Sequence, residues 1–292
     1  MKKHYITFLL VLFLISGLSL LLYPTVSDWW NAYHQSEVIA GYVKDVENLD
    51  DKKAEEMLAS AEAYNQSLEK GIVPTFRLSQ EETTAYENIL NITGTGIMGY
   101  VEIPKFKTSM PIYHGTDEAI LQVAIGHIPG SSLPVGGQGS HSVISGHRGL
   151  PSAKLFTDID KLKNGDIFKL HVLGKTLTYQ VDQSLTVEPN DITSLGIDPE
   201  QDYCTLVTCT PYAVNTHRLL VRGHRIANES SASAKKEQSS DQFSMLNICL
   251  AIAGLLLLLI IVLVYRDKQK KKRREALRRQ IGRRSVDYAR RK

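Results

Sequence analysis

Two runs without a charged side chain, Tyr5 to Tyr23 and Met245 to Tyr265, decide most of what this chain can be. They are 19 and 21 residues long, close to the roughly 20 residues a helix needs to cross a hydrocarbon core. Lys2 and Lys3 precede the first, and Lys270-Lys271-Lys272-Arg273-Arg274 follows the second. The positive-inside rule therefore puts both ends in the cytoplasm and the stretch between them outside. The first run also suits a cleaved signal peptide, although no Ala-x-Ala-like site precedes Asp28-Trp29-Trp30. The second acts as an anchor in either case. Buried core helices, the other use of such runs, seldom lack charge over this length.

The charge balance fits that division. From Arg266 to Lys292 there are fourteen Lys and Arg against Asp267, Glu275 and Asp287, a net of +11. Taking this and the two N-terminal lysines away from the overall +3 leaves the middle at −10. An acidic body argues against nucleic acid as its partner, because phosphate binding needs Lys and Arg on the folded surface. The basic tail lies where it meets anionic inner-leaflet lipid. With 292 residues, 43% hydrophobic, the chain has room for one main core plus appendages.

Three cysteines do not make a disulfide framework. Cys249 lies inside the second apolar run, as a small apolar residue. Cys204 and Cys209 are five apart in a β-rich segment, so they point to opposite faces of a strand and cannot bridge. An unpaired thiol facing an oxidising exterior suggests reactivity.

Between Ser36 and Lys70 the apolar residues Ile39, Tyr42, Val43 and Val46, then Leu58, Ala61, Tyr64 and Leu68, recur at helical steps, with Gly71 as a stop. Ile72 to Gly99 reads as an irregular, polar connection. From Tyr100 the period becomes two. Short runs follow at Tyr100 to Ile103, Pro111 to Tyr113, Ser142 to Ser145, Ile167 to Val172, Thr176 to Val181, Tyr203 to Thr208 and Arg218 to Val221, separated by Gly, Pro and Asp. The pattern predicts an all-β barrel or sandwich, with a hairpin at Leu173-Gly174-Lys175. The polar stretch after Ile226 reads as a linker.

Chemistry concentrates in two segments. Thr205-Leu206-Val207-Thr208-Cys209-Thr210-Pro211 is a strand ending in Cys just before Pro, which cannot continue a central strand, so the thiol reaches the rim of the sheet. Asn215-Thr216-His217-Arg218 then opens the next strand, where Arg218 can supply the positive field that a thiolate needs. Upstream, Ser142-Val143-Ile144-Ser145-Gly146-His147-Arg148-Gly149 delivers a His into a Gly-flanked turn. Taken alone, the Cys segment fits a buried structural Cys beside a surface Arg better than a nucleophile. His141 and His147 raise the possibility of a metal pair, but no further Cys, His or carboxylate is suitably spaced.

Taken together, Thr-Leu-Val-Thr-Cys, the downstream Asn-Thr-His-Arg and the Gly-His-Arg-Gly after a strand resemble a sortase, most closely the class C, pilus-assembling sortases, which typically carry a C-terminal span. The resemblance runs from about Gly99 to Arg225 and includes Tyr100-Val101-Glu102-Ile103-Pro104, Gly126-His127, Ser132-Leu133-Pro134-Val135-Gly136-Gly137 and Leu155-Phe156-Thr157-Asp158. It implies an eight-stranded barrel, no cofactor, and catalytic roles for Cys209 as nucleophile, His147 as acid/base and Arg218 as oxyanion donor. The implied substrate is a Leu-Pro-x-Thr-Gly-like sorting signal on a surface protein or pilin. The implied acceptor is an amine, either a pilin Lys or a cell-wall precursor.

The resulting division is an N-terminal span or signal (1–23), a helical stalk and lid-like segment (24–98), a catalytic barrel (99–226), a linker (227–244), a second span (245–265) and a basic cytoplasmic tail (266–292). The departure from class C lies at Gly71 to Gly99, where an Asp-Pro-aromatic lid motif is expected and Pro74-Thr75-Phe76 is the nearest match. The connection is therefore expected to lack an anchor over the thiol. A membrane-tethered binding module and a secreted thiol protease are the readings from other classes.

Overall fold

A computed structural model describes residues 2–71, 73, 75–228 and isolated positions between 251 and 273. Helix α1 runs unbroken from Lys2 to Glu47, through Pro24. Its stretch Val11–Glu47 is, among the described residues, the helix long and apolar enough to cross a membrane. The second run, 245–265, lies outside the described residues apart from Ala251, Gly254, Val262 and Tyr265, which are helical. The unit from Tyr23 to Gln238 carries the barrel and all that follows.

The helical pattern expected from Ser36 to Lys70 is interrupted. α2 begins afresh at Asp51–Ser67, because the Asp50 carboxylate caps it by accepting from the Lys52 and Lys53 amides at 3.0 and 3.4 Å. The predicted apolar face holds: Ala61 is fully buried, and Leu58 and Tyr64 pack on the main core. Asn65 adds a polar lock, exchanging hydrogen bonds with the Leu133 backbone in both directions (2.7 and 3.1 Å).

A third helix, α3 (Gln80–Asn88), replaces part of the expected irregular connection. The signal was present in the sequence: Ser79 and Glu82 form a reciprocal capping box, Ser79 N–H to Glu82 at 2.7 Å and Glu82 N–H to Ser79 Oγ at 3.3 Å.

Eight strands follow: β1 (Ile97–Ile103), β2 (Thr108–His114), β3 (Ile125–His127), β4 (Ser140–Ser145), β5 (Ile167–Val172), β6 (Lys175–Val187), β7 (Asp202–Thr210) and β8 (His217–Ile226). They close into a barrel in the order β1-β2-β3-β4-β7-β8-β6-β5, which leaves no free sheet edge. Two neighbouring pairs, β2 with β3 and β4 with β7, are parallel and the rest antiparallel. Seven strands match the predicted runs. The eighth, β3, is three residues long, too short for a periodicity to register. The β5–β6 hairpin turns at Leu173 and Gly174, both with positive φ (48° and 73°), the geometry that matches strand twist.

Alternation sorts each strand between two layers. Cys204 and Leu206 of β7, Leu219 and Val221 of β8, and Ile144 of β4 belong to the main core with Phe156, Phe168 and Tyr179. Their neighbours Val207, Leu220 and Val143 point outward into a second apolar cluster with Leu195, flanked by Phe76, Ile128, Leu185 and Val187.

Candidate active site

β7 places Thr205, Val207 and Cys209 on its outer face and Cys204, Leu206 and Thr208 inward. Cys204 is wholly buried, and burial pushes its thiol well above the ordinary range, which makes it inert. Cys209 is partly exposed and unpaired. β8 lies antiparallel beside it, with Cys209 directly opposite Arg218, so the two side chains share a face. On the other side β4 runs parallel with Ser145 beside Val207, and the register continues as Gly146 N–H donates to the Val207 carbonyl at 3.0 Å. One residue further along, the chain reaches His147, two positions past Ser145 as Cys209 is two past Val207. Thus Cys209 and Arg218, on adjacent strands, and His147, two residues past the end of the neighbouring β4, lie at one end of the barrel.

The backbone around them is held from several sides. Thr208 Oγ1 donates to the Gly146 carbonyl at 2.7 Å. Phe156 N–H donates to the His147 carbonyl at 3.1 Å, and Gly149 N–H donates to Thr157 Oγ1 at 3.1 Å. Arg148 joins Thr210 at 3.3 Å and Asp160 at 2.5 Å, and its guanidinium lies 6.0 Å from the Tyr212 ring centroid. Tyr212 packs so closely on Gly149 (φ +76°) that a Cβ there would sit 2.9 Å from the ring. The β7–β8 turn and the His147 loop are thereby pressed together.

Both Arg218 hydrogen bonds use Nη1, donated to the carbonyls of His217 and Asn215 at 3.1 and 3.4 Å. Nη2 and Nε make no hydrogen bond among the described residues. His217 turns away, to Thr216 at 2.9 Å and Glu188 at 3.2 Å, as alternation along β8 requires. Among the described residues His147 Nε2 is buried without a hydrogen bond, 3.6 Å from the Glu118 carboxylate. Glu118 was not singled out in the sequence, since nothing local marks an exposed acid 29 residues from the His. His141, the other half of the suggested metal pair, bonds instead to the Gly196 carbonyl (2.9 Å) and Thr205 (2.7 Å). Among the described residues no cluster of three or more His, Cys, Asp or Glu is arranged to hold a metal.

The outer apolar cluster continues from Cys209 along Val207 and Leu220, and Phe76 lies against it. This corrects the expectation of an unanchored connection. Ile72 and Pro74 lie outside the described residues, but Thr75 and Phe76 run so near Gly130 (φ +86°) that a Cβ there would come 2.6 Å from the Thr75 carbonyl. Beyond them Tyr86 of α3 is buried, its hydroxyl bonded to His127 Nδ1 at 2.9 Å and accepting from Gly115 N–H at 3.1 Å. The segment is held by one aromatic on the outer strip and another in the core, in place of a single Asp-Pro-aromatic motif.

With this geometry in hand, comparison with known proteins is decisive. The Sortase domain family model matches residues 101–226. Sortase C1 from Streptococcus agalactiae superposes with a TM-score of 0.64 at 48% identity, covering 66% of this chain and all of that one. The chain belongs to the sortase family, whose members are cysteine transpeptidases. Sortase C from Streptococcus pneumoniae, described for its catalysis and pilin substrate specificity, gives a TM-score of 0.59 at 45% identity over 66% of this chain and 98% of its own. Sortase C-1 from Actinomyces oris gives 0.57 at 41% over 61% and 99%. Among curated relatives, Sortase D of Bacillus subtilis (strain 168) is 28% identical over 131 residues, 44% of this chain, which spans 63% of that relative's length.

Proposed function

We propose that this sortase is a pilus-assembling transpeptidase, acting outside the membrane on a Leu-Pro-x-Thr-Gly-like sorting signal. The single observation that carries the reading is the register of Cys209 opposite Arg218, with His147 leaving the neighbouring parallel strand at the same level. The Cys209 thiolate attacks the carbonyl carbon of Thr in the Thr–Gly bond. The resulting oxyanion accepts from the Arg218 N–H groups that make no hydrogen bond among the described residues, donors suited to a planar, charge-assisted contact. His147 passes a proton to the departing Gly amine, leaving a thioester on Cys209. In the second half, an amine attacks the thioester, His147 takes its proton, and an amide bond forms as the Cys209 thiolate is released beside the imidazolium.

The apolar strip of Val207 and Leu220 beside Cys209 supports a signal with apolar residues ahead of its Thr. A pilin substrate is supported by the sortase C of known structure that is described for its pilin substrate specificity; a pilin Lys as acceptor is what the class C resemblance implies. The stretch Val11–Glu47 of α1 supports a membrane anchor; the cytoplasmic side assigned to the tail 266–292 rests on its positive charge alone. The test is incubation of the full-length protein with a candidate pilin, followed by mass spectrometry of the product. An isopeptide between the pilin signal Thr and a pilin Lys is expected. Transfer to a cell-wall precursor amine alone would replace pilus assembly with surface-protein anchoring, and hydrolysis that added amine does not divert would replace both with proteolysis.

A further inference from the structure

His147 needs something to fix its ring. Its Nε2 is shut off from solvent and makes no hydrogen bond among the described residues, and the charged group it meets is Glu118 Oε2 at 3.6 Å. The topology brings that acid there. Glu118 opens the short helix α4 (Glu118–Leu121) in the connection from β2 to β3. β3 runs antiparallel to β4, with Gly126 opposite Ser145, so residues just ahead of β3 arrive where His147 leaves β4.

Both pieces are tied to α1. Asn31 Nδ2 and Gln35 Nε2 donate to the Val123 carbonyl at 3.2 and 2.6 Å. Ser27 Oγ donates to the Ser152 carbonyl at 3.1 Å, and Asp28 accepts from Lys154 N–H at 2.7 Å. The Gln122 amide donates to Glu118 Oε1, leaving Oε2 to face the imidazole. Gln122 first, and then the nearby His147, hold the Glu118 carboxyl below its usual range. The other charged groups at this end are already engaged. Arg148 is paired with Asp160, Asp158 is held by Lys154 and Lys161, and His217 meets Glu188. Arg218 lies opposite Cys209 and bonds to backbone carbonyls.

We propose that Glu118 is the positioning residue of His147, facing Nε2 so that Nδ1 is the nitrogen that exchanges protons with Cys209 and the leaving amine. The inference rests on the assignment of Cys209 and His147 proposed above. When the Cys209 thiol gives its proton to Nδ1, a thiolate and an imidazolium form with no net change of charge. Glu118 favours the imidazolium and hence the thiolate, and the proton later leaves with the amine. Glu118 is 72% exposed, and solvent-screened pairs of this kind change rates by about two- to fivefold.

The test follows alkylation of Cys209 by iodoacetamide at neutral pH in the full-length protein, read by mass spectrometry of the Cys209 peptide. Glu118→Gln should slow it about two- to fivefold, Glu118→Asp should restore most of the rate, and in a His147→Ala background Glu118→Gln should change nothing. Equal slowing in both backgrounds, or none in the parent, would overturn the proposal. If the dependence on Glu118 and His147 is found but no acyl transfer to any amine occurs, the transpeptidase reading fails and the positioning role stands.

Discussion

Lowering the pH from 7.5 to 5 should destabilise this protein, because two histidines are buried in the neutral form. His127 and His141 are each pushed down to about 4 from an ordinary 6.5, in both cases chiefly by burial. For His127 the Ser132 carbonyl opposes the shift and nearby His114 adds to it, while for His141 the Gly196 carbonyl opposes it and Arg222 adds to it. The neutral rings are fully bonded: His127 between Tyr86 and the Ser132 carbonyl, His141 between the Gly196 carbonyl and Thr205. The unfolded chain therefore binds these protons first. The stability they contribute is present above pH 6.5 and is lost as the pH falls towards 4. Going from pH 7.5 to 5, linkage gives a loss of about 2 kcal/mol for each residue, about 4 together. The assay is urea unfolding of the full-length protein in detergent at both pH values. His141→Gln should start less stable and lose only about half as much over the same interval. Stability that stays flat from pH 7.5 to 5, or an unchanged loss in His141→Gln, would refute the reasoning.

Other outcomes follow from the site. Cys209→Ala should abolish transpeptidation while Cys204→Ala keeps most of it, as measured by peptide turnover; comparable losses would rule out a single nucleophile on the outer face. Arg218→Lys should lower kcat/KM at least tenfold, since an ammonium cannot reproduce the guanidinium fork and one lost oxyanion donor costs about 3 kcal/mol; near-normal turnover would move the oxyanion elsewhere. Phe76→Ala should speed reaction of Cys209 with a small thiol reagent by up to about fivefold, as roughly 1 kcal/mol of apolar cover is removed from the strip; an unchanged rate would mean that Phe76 does not shield the thiol. Deleting the whole segment is a poor substitute, because Tyr86 and Leu90 belong to the main core.

What the sequence made legible were the features with local causes. Period-two runs marked seven strands, the Cys-x-Pro strand end put Cys209 at the rim, and the spacing of Cys204 and Cys209 separated buried from accessible sulfur. The missed features depend on distance or on brevity. β3 is too short to show alternation, and its existence follows only from barrel closure. The break at Asp50 was hidden by apolar residues that keep their helical phase across it. α3 had a readable capping box, outweighed by the polarity around it. Glu118 joins His147 only through the β2–β3 crossover, and Phe76 meets Val207 and Leu220 only once the connection wraps the barrel. Local periodicity carries no information about either encounter.

In the proposed reaction Cys209 carries the acyl group while His147 and Arg218 serve it. The most direct measurement is mass spectrometry of the full-length protein quenched with acid during turnover of a Leu-Pro-x-Thr-Gly peptide without acceptor amine. The account predicts a thioester to the Thr carbonyl on the Cys209 peptide, absent in Cys209→Ala and sharply reduced in His147→Ala. An adduct on Cys204, or peptide cleavage that never loads Cys209, would contradict it.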